Sequence, residues 1–262
     1  MTATARYELR MMLRKRSMWI TMGIMVALLG VISFEQFREF LRDDDPKYVM
    51  VQAALLLNLF LPVGYGCLLA DRLIRDRKLG VAAILDATPA SPGGRLVGKY
   101  AGVCAAAAVP VALLFFGFAA VYAAVSGEYA ALPWALAIFA TVVAPAVLFV
   151  GAFALAVPLL LPAPLFRVLF VGYWFWGNAI SPVAMPTLAQ TVIAPIGDYP
   201  MRVLFGFSSR DGTLVGPQPG ASLNFLRPDP TPFTAWLSIA ILLAIAALVL
   251  YAAEAARART TR

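Results

Sequence analysis

The sequence contains no histidine at all. That absence removes histidine general bases, Ser-His-Asp and Cys-His catalysis, and His-ligated zinc or haem. Cysteine is nearly absent too: Cys67 and Cys104 each sit inside an apolar stretch and read as small buried residues rather than a disulfide or metal pair. No Asn-x-Ser/Thr sequon occurs. Charge is also scarce. Only 13% of the 262 residues are charged, 61% are hydrophobic, and mean hydropathy is +0.81. Soluble domains average about 25% charged, and a soluble core of this length cannot bury so much apolar surface. The composition therefore predicts a polytopic, all-α integral membrane protein forming one domain.

About 20 apolar residues are needed to cross the hydrocarbon as a helix. Six stretches meet or approach that length: 17–34, 48–70, 100–125, 133–161, 164–180 and 231–253. The fourth and fifth come from one long apolar run. It is split at Leu161-Pro162-Ala163-Pro164, where prolines stop a helix, and Arg167 follows to mark an interface.

The basic residues fix an expected orientation. With the N-terminus cytoplasmic, only Arg38, Arg42, Lys47, Arg202, Arg210 and Arg227 of the 21 Lys and Arg fall outside. The other fifteen lie in residues 1–16, 71–99 and 254–262 or at Arg167. Lys and Arg near span ends set topology, so both termini are expected inside, which an even number of spans requires. Trp19 falls at the inner end of its span, and Trp134, Trp176 and Trp236 near outer ends. No small-x-small cleavage site follows the first span, so it reads as uncleaved.

Residues 1–16 carry Arg6, Arg10 and Arg14 on one side and Leu9, Met12 and Leu13 on another. They fit an interfacial helix on the inner leaflet, or a plain basic flank. Asp43-Asp44-Asp45 lacks the spaced pattern of a calcium loop and reads as a solvated acidic turn before Pro46. The cytoplasmic segment 71–99 places Ile74, Val81 and Leu85 on one helical face, away from Arg75, Asp76 and Asp86. It reads as an amphipathic helix ended by Thr88-Pro89, or as a solvated connector. Gly93-Gly94-Arg95-Leu96-Val97-Gly98-Lys99 imitates a phosphate loop, but Tyr100 replaces the magnesium-ligating hydroxyl and no strand leads in. Residues 181–230 hold eight of the 19 prolines. They read as an external loop whose charge-free first third forms short re-entrant or interfacial helices.

This order of features resembles the type-2 family of ABC exporter permeases, over essentially the whole chain. The sharpest likeness is Asp76-Arg77-Lys78-Leu79-Gly80, then Ile84-Leu85, Pro89 and Gly98-Lys99. The family usually has Glu in place of Asp76 and Thr in place of Val81. The resemblance implies a membrane subunit that dimerises with itself or a related permease over two separately encoded ABC ATPase subunits. ATP and magnesium would belong to that partner, leaving this chain with no cofactor and no catalytic residue. It implies a coupling helix with Ile74, Asp76, Gly80, Val81, Leu85 and Pro89 at the ATPase contact, and outer re-entrant helices between spans five and six. With spans two and five lining the substrate path, Asn58, Trp174 and Asn178 become candidate path residues. For Asn58 a helix–helix hydrogen bond is the alternative, and Gly98-x-x-x-Gly102 is a candidate packing site. Aromatic residues around Tyr173, Trp174 and Trp176 suggest a lipophilic substrate.

A non-transporting membrane anchor on the same fold is the other function class. A self-contained carrier fits less well, since no span carries an acidic residue for an ion relay and the one basic residue, Arg167, stands at the interface end of the fifth. Neither metal nor nucleic acid is expected; the partner surface is the lipid bilayer of the cell membrane.

Overall fold

The computed structural model describes residues 2–73, 92–207 and 215–260. It is helical over 77% of the described residues, with no strand among them. The N-terminal helix α1 (Thr2–Leu13) meets α2 (Arg16–Ile32) at a bend of 63°. A short α3 (Phe34–Phe40) leads to α4 (Pro46–Leu69), and α5 (Pro92–Ser126) follows after residues 74–91.

The next span is a single column in three parts. It comprises α6 (Ala131–Ile138), a wide π-turn over Phe139–Val143, and α7 (Ala144–Ala156), which tightens into 3-10 geometry at Val157–Leu159. The π-turn has a covalent cause. Pro145 has no N–H to give Thr141 four residues back, and its ring presses on that carbonyl, so the preceding turn widens. Helices α8 (Ala163–Asn178), α9 (Asp198–Phe205) and α10 (Pro232–Thr260) complete the chain.

Among the described residues, four helical columns are long and apolar enough to cross a membrane, and a fifth arises when the bent α1–α2 pair counts as one. Helix α8 has 16 residues, about 24 Å at 1.5 Å per residue, short of the ~30 Å hydrocarbon core.

Helix α4 is the centre. It is buried on most of its circumference, from Val49 and Met50 to Tyr65 and Leu69, because α2, α6, α7 and α8 all pack on it. Its start is fixed by Asp45, whose carboxylate accepts from the backbone N–H of Lys47 (3.0 Å) and Tyr48 (3.2 Å), with Pro46 at the first helical position. The acidic turn is therefore a capping turn, held further by the Tyr122 hydroxyl donating to the Asp43 carbonyl at 2.7 Å. Helix α10 lies at the periphery on α7 and α9 and leaves Phe233, Leu248 and Tyr251 exposed. Such an outward apolar face suits lipid as solvent and does not suit water.

Residues 181–197, expected as short helices, fold as successive turns; among the described residues α9 is the one α-helix between α8 and α10. Pro182, Pro186 and Pro195 account for this, since each removes a backbone donor and disfavours helix in the residue before it.

Candidate functional site

Helix α1 does not float beside the bundle. It packs along α5, and the contact is close because Gly102 has no side chain: a Cβ there would strike the Ala5 carbonyl and lie 2.8 Å from the Glu8 Cβ. Arg6, Arg10 and Arg14 are exposed while Glu8 and Met12 are buried, so the helix turns its arginine edge outward and its glutamate inward.

Glu8 is the centre of a buried ion cluster. One carboxylate oxygen is 3.6 Å from the Arg72 guanidinium and the other 3.5 Å from the Lys99 ammonium. None of the three residues is more than 7% exposed. Charge taken from water at this depth is tolerated only when paired. Arg72 comes three residues after the end of α4, and Lys99 is the eighth residue of α5. The cluster thus ties α1 to both sides of the 74–91 segment. Lys99 belongs to a helix that begins at Pro92, so the glycines before it form helical turns and no phosphate-cradling loop.

The six proposed coupling residues, Ile74, Asp76, Gly80, Val81, Leu85 and Pro89, lie outside the described residues. The three path candidates are described. Asn58 is buried and its amide donates to the Val142 carbonyl (3.3 Å) and the Ile196 carbonyl (3.1 Å). Trp174 is fully buried and its indole N–H donates to the Leu59 carbonyl at 2.8 Å. Asn178 donates to the Trp174 carbonyl at 2.8 Å. Asn58 and Trp174 thus join α4 to its neighbours, whereas Asn178 bonds only within α8.

The Asn58 contacts show how far the proline-rich segment reaches. Asn58 is 12 residues into α4, about 18 Å from its start, and Ile196 comes down to that depth, against the π-turn. Irregular backbone is stable there only when its polar groups find partners in the protein. Arg227 supplies them. It is fully buried, and its guanidinium donates to the Thr187 (3.0 Å), Ala189 (2.9 Å) and Ser222 carbonyls. Asp198 accepts the N–H of Gln190 at 2.9 Å and so anchors a residue with φ +61. Burial pushes the Asp198 carboxyl up to about 7, against the opposing pull of the Gln190 N–H and Arg227. Burial likewise raises Tyr199, to about 12, and lowers Arg227. Tyr199 donates to the Pro228 carbonyl at 2.7 Å.

Sequence reasoning missed Glu8 and Arg227. Glu8 is the sole acid in the first 34 residues, which is a signal in itself. Arg227 counted there only among the external basic residues; a lone arginine among prolines, where backbone carbonyls go unpaired, was the available cue.

No family model matches the chain, and no curated protein matches it.

Proposed function

We propose that the chain is the membrane-spanning permease subunit of an ATP-driven exporter, with six spans, both termini cytoplasmic, and a separate ATPase docking on residues 74–88. The supporting observation is the Glu8–Arg72–Lys99 cluster. It holds α1, the end of α4 and the start of α5 together at one end of the bundle, so both flanks of the proposed coupling segment are anchored to spans. A push on that segment would reach three helices through buried ionic contacts.

The orientation has support in three dimensions. Lys15, Arg72, Lys99 and Arg167 gather at the end of the bundle marked by Glu8 and Asp71. Asp43, Lys47, Tyr122 and Trp134 gather at the other, where Lys47 lies 5.6 Å from the Trp134 ring centre. By the positive-inside rule the first end is cytoplasmic. ATP and magnesium would be held by the partner, and the substrate would be a lipophilic molecule or lipid.

A non-transporting anchor on the same fold is the alternative, favoured by Asn58 and Trp174 donating to backbone carbonyls within their own chain. Reconstitution with the ATPase separates the two. Leu85→Asp should abolish ATPase docking and export together, because it removes a leucine contact worth ~1.5–3 kcal/mol and buries a charge. Docking with no export by the wild type supports the anchor, and normal docking by Leu85→Asp refutes the coupling role.

A further inference from the structure

Two cavities share Asp71 and Arg167 in their walls, beside the proposed cytoplasmic end of the bundle. The smaller, about 260 Å³, lies in the elbow between α1 and α2. Its polar lining is Lys15, Arg72, Arg167, Asp71 and Ser17, three cations and one carboxylate, with Glu8 paired to Arg72 outside the lining. Arg167 is positioned rather than loose: its Nε donates to the Cys67 carbonyl at 3.1 Å and a terminal nitrogen pairs with Asp71. Helix α2 begins beside this chamber with no side-chain cap, adding the positive end of a helix dipole.

The larger cavity, about 650 Å³, shares Asp71 and Arg167 but is otherwise walled by residues 158–164, all proline, leucine or alanine. Its neighbours Leu160, Val168 and Leu169 are exposed, so this trough opens onto the apolar flank of the bundle. A cationic chamber beside an apolar trough, with the Asp71–Arg167 pair as their shared wall, suits an amphiphile with an anionic head. A soluble anion would use only the chamber, and a neutral lipid only the trough.

We propose that the paired cavity holds one anionic phospholipid, with its phosphate group among Lys15, Arg72 and Arg167 and its acyl chain along residues 158–164. Basic recesses between spans bind such headgroups through charge-assisted hydrogen bonds. The site does not depend on the transport reading, which sets only the leaflet that supplies the lipid.

The test uses the full chain purified in zwitterionic detergent, with binding read by native mass spectrometry. Phosphatidylglycerol, phosphatidylcholine and inorganic phosphate are titrated in parallel. Retention of phosphatidylglycerol over phosphatidylcholine, unaffected by excess inorganic phosphate, is the expected result. Lys15→Gln and Arg167→Gln should each weaken it about tenfold, whereas Arg10→Gln, an exposed arginine outside the cavities, should leave it unchanged. Lys15→Gln breaks no contact of Arg167 and remains informative if Arg167→Gln fails to fold. Equal retention of the two lipids would overturn the site, as would equal losses in Arg10→Gln and Lys15→Gln. Displacement of the lipid by inorganic phosphate at matching concentration would overturn the lipid in favour of a free anion.

Discussion

Replacing Glu8 by Gln removes the charge between two buried cations while keeping the side-chain volume. Breaking a buried ion pair from one side costs roughly 3–5 kcal/mol, because the remaining charge stays desolvated. The lower end applies here. The contacts of 3.5 and 3.6 Å exceed the ~2.7–2.9 Å of a tight charge-assisted hydrogen bond, and Arg72 and Lys99 both keep further interactions. A loss of about 3 kcal/mol corresponds to roughly a hundredfold increase in the opening constant. Since α1 is held on α5 by this cluster and by the Gly102 contact, the opening should be local. Hydrogen exchange of the α1 amides should accelerate by about that factor while the amides of α4 and α7 hardly change. Glu8→Gln with Lys99→Gln should recover more than half of the loss, since one uncompensated cation goes with the acid. Exchange in α1 that changes less than about threefold, or losses that simply add in the double variant, would refute the cluster as the clamp.

Asp198, raised to about 7 in the folded chain, titrates near 4 when unfolded. Between those values the folded chain keeps a proton the unfolded one has lost, so this group's contribution to stability falls as pH rises from about 4 to 7, then levels. Asp198→Asn should therefore gain melting temperature over wild type increasingly from pH 5 to 7.5; a difference independent of pH would count against the buried acid. Arg227→Met orphans three carbonyls at about 1–3 kcal/mol each, and limited proteolysis should cut within residues 181–230 in the variant well before wild type. Single cysteines at Ser91 and Thr260 should label only from the cytoplasm and one at Gly216 only from outside; external labelling at Ser91 would contradict the six-span topology.

Helices whose ends carry covalent punctuation were legible in the sequence. The break at Leu161-Pro162 falls between Leu159 and Ala163 in the structure, with Pro164 in the first turn of α8, and Asp45-Pro46 opens α4. Where charge marked a boundary, the reading stopped short. The third span was expected from Tyr100, but its helix begins at Pro92, because Arg95 and Lys99 end the apolar run without ending the helix. The last span continues past Ala253 to Thr260 for the same reason. The π-turn was not read, although Pro145 is its cause. Tertiary pairing was the least visible layer. Nothing local says that Glu8 meets Arg72 and Lys99, or that Ile196 descends to Asn58, since those partners are 64 to 138 positions apart and join only when the spans pack.

The most direct test of the permease reading is the composition of the complex purified from the cell membrane by a tag on this chain. Native mass spectrometry should show two membrane subunits with two copies of an ATPase carrying a complete phosphate loop. The Leu85→Asp chain should come out of the same membranes as a dimer without the ATPase. A wild-type chain that purifies with no ATPase, or a Leu85→Asp chain that keeps its full complement, would contradict the account.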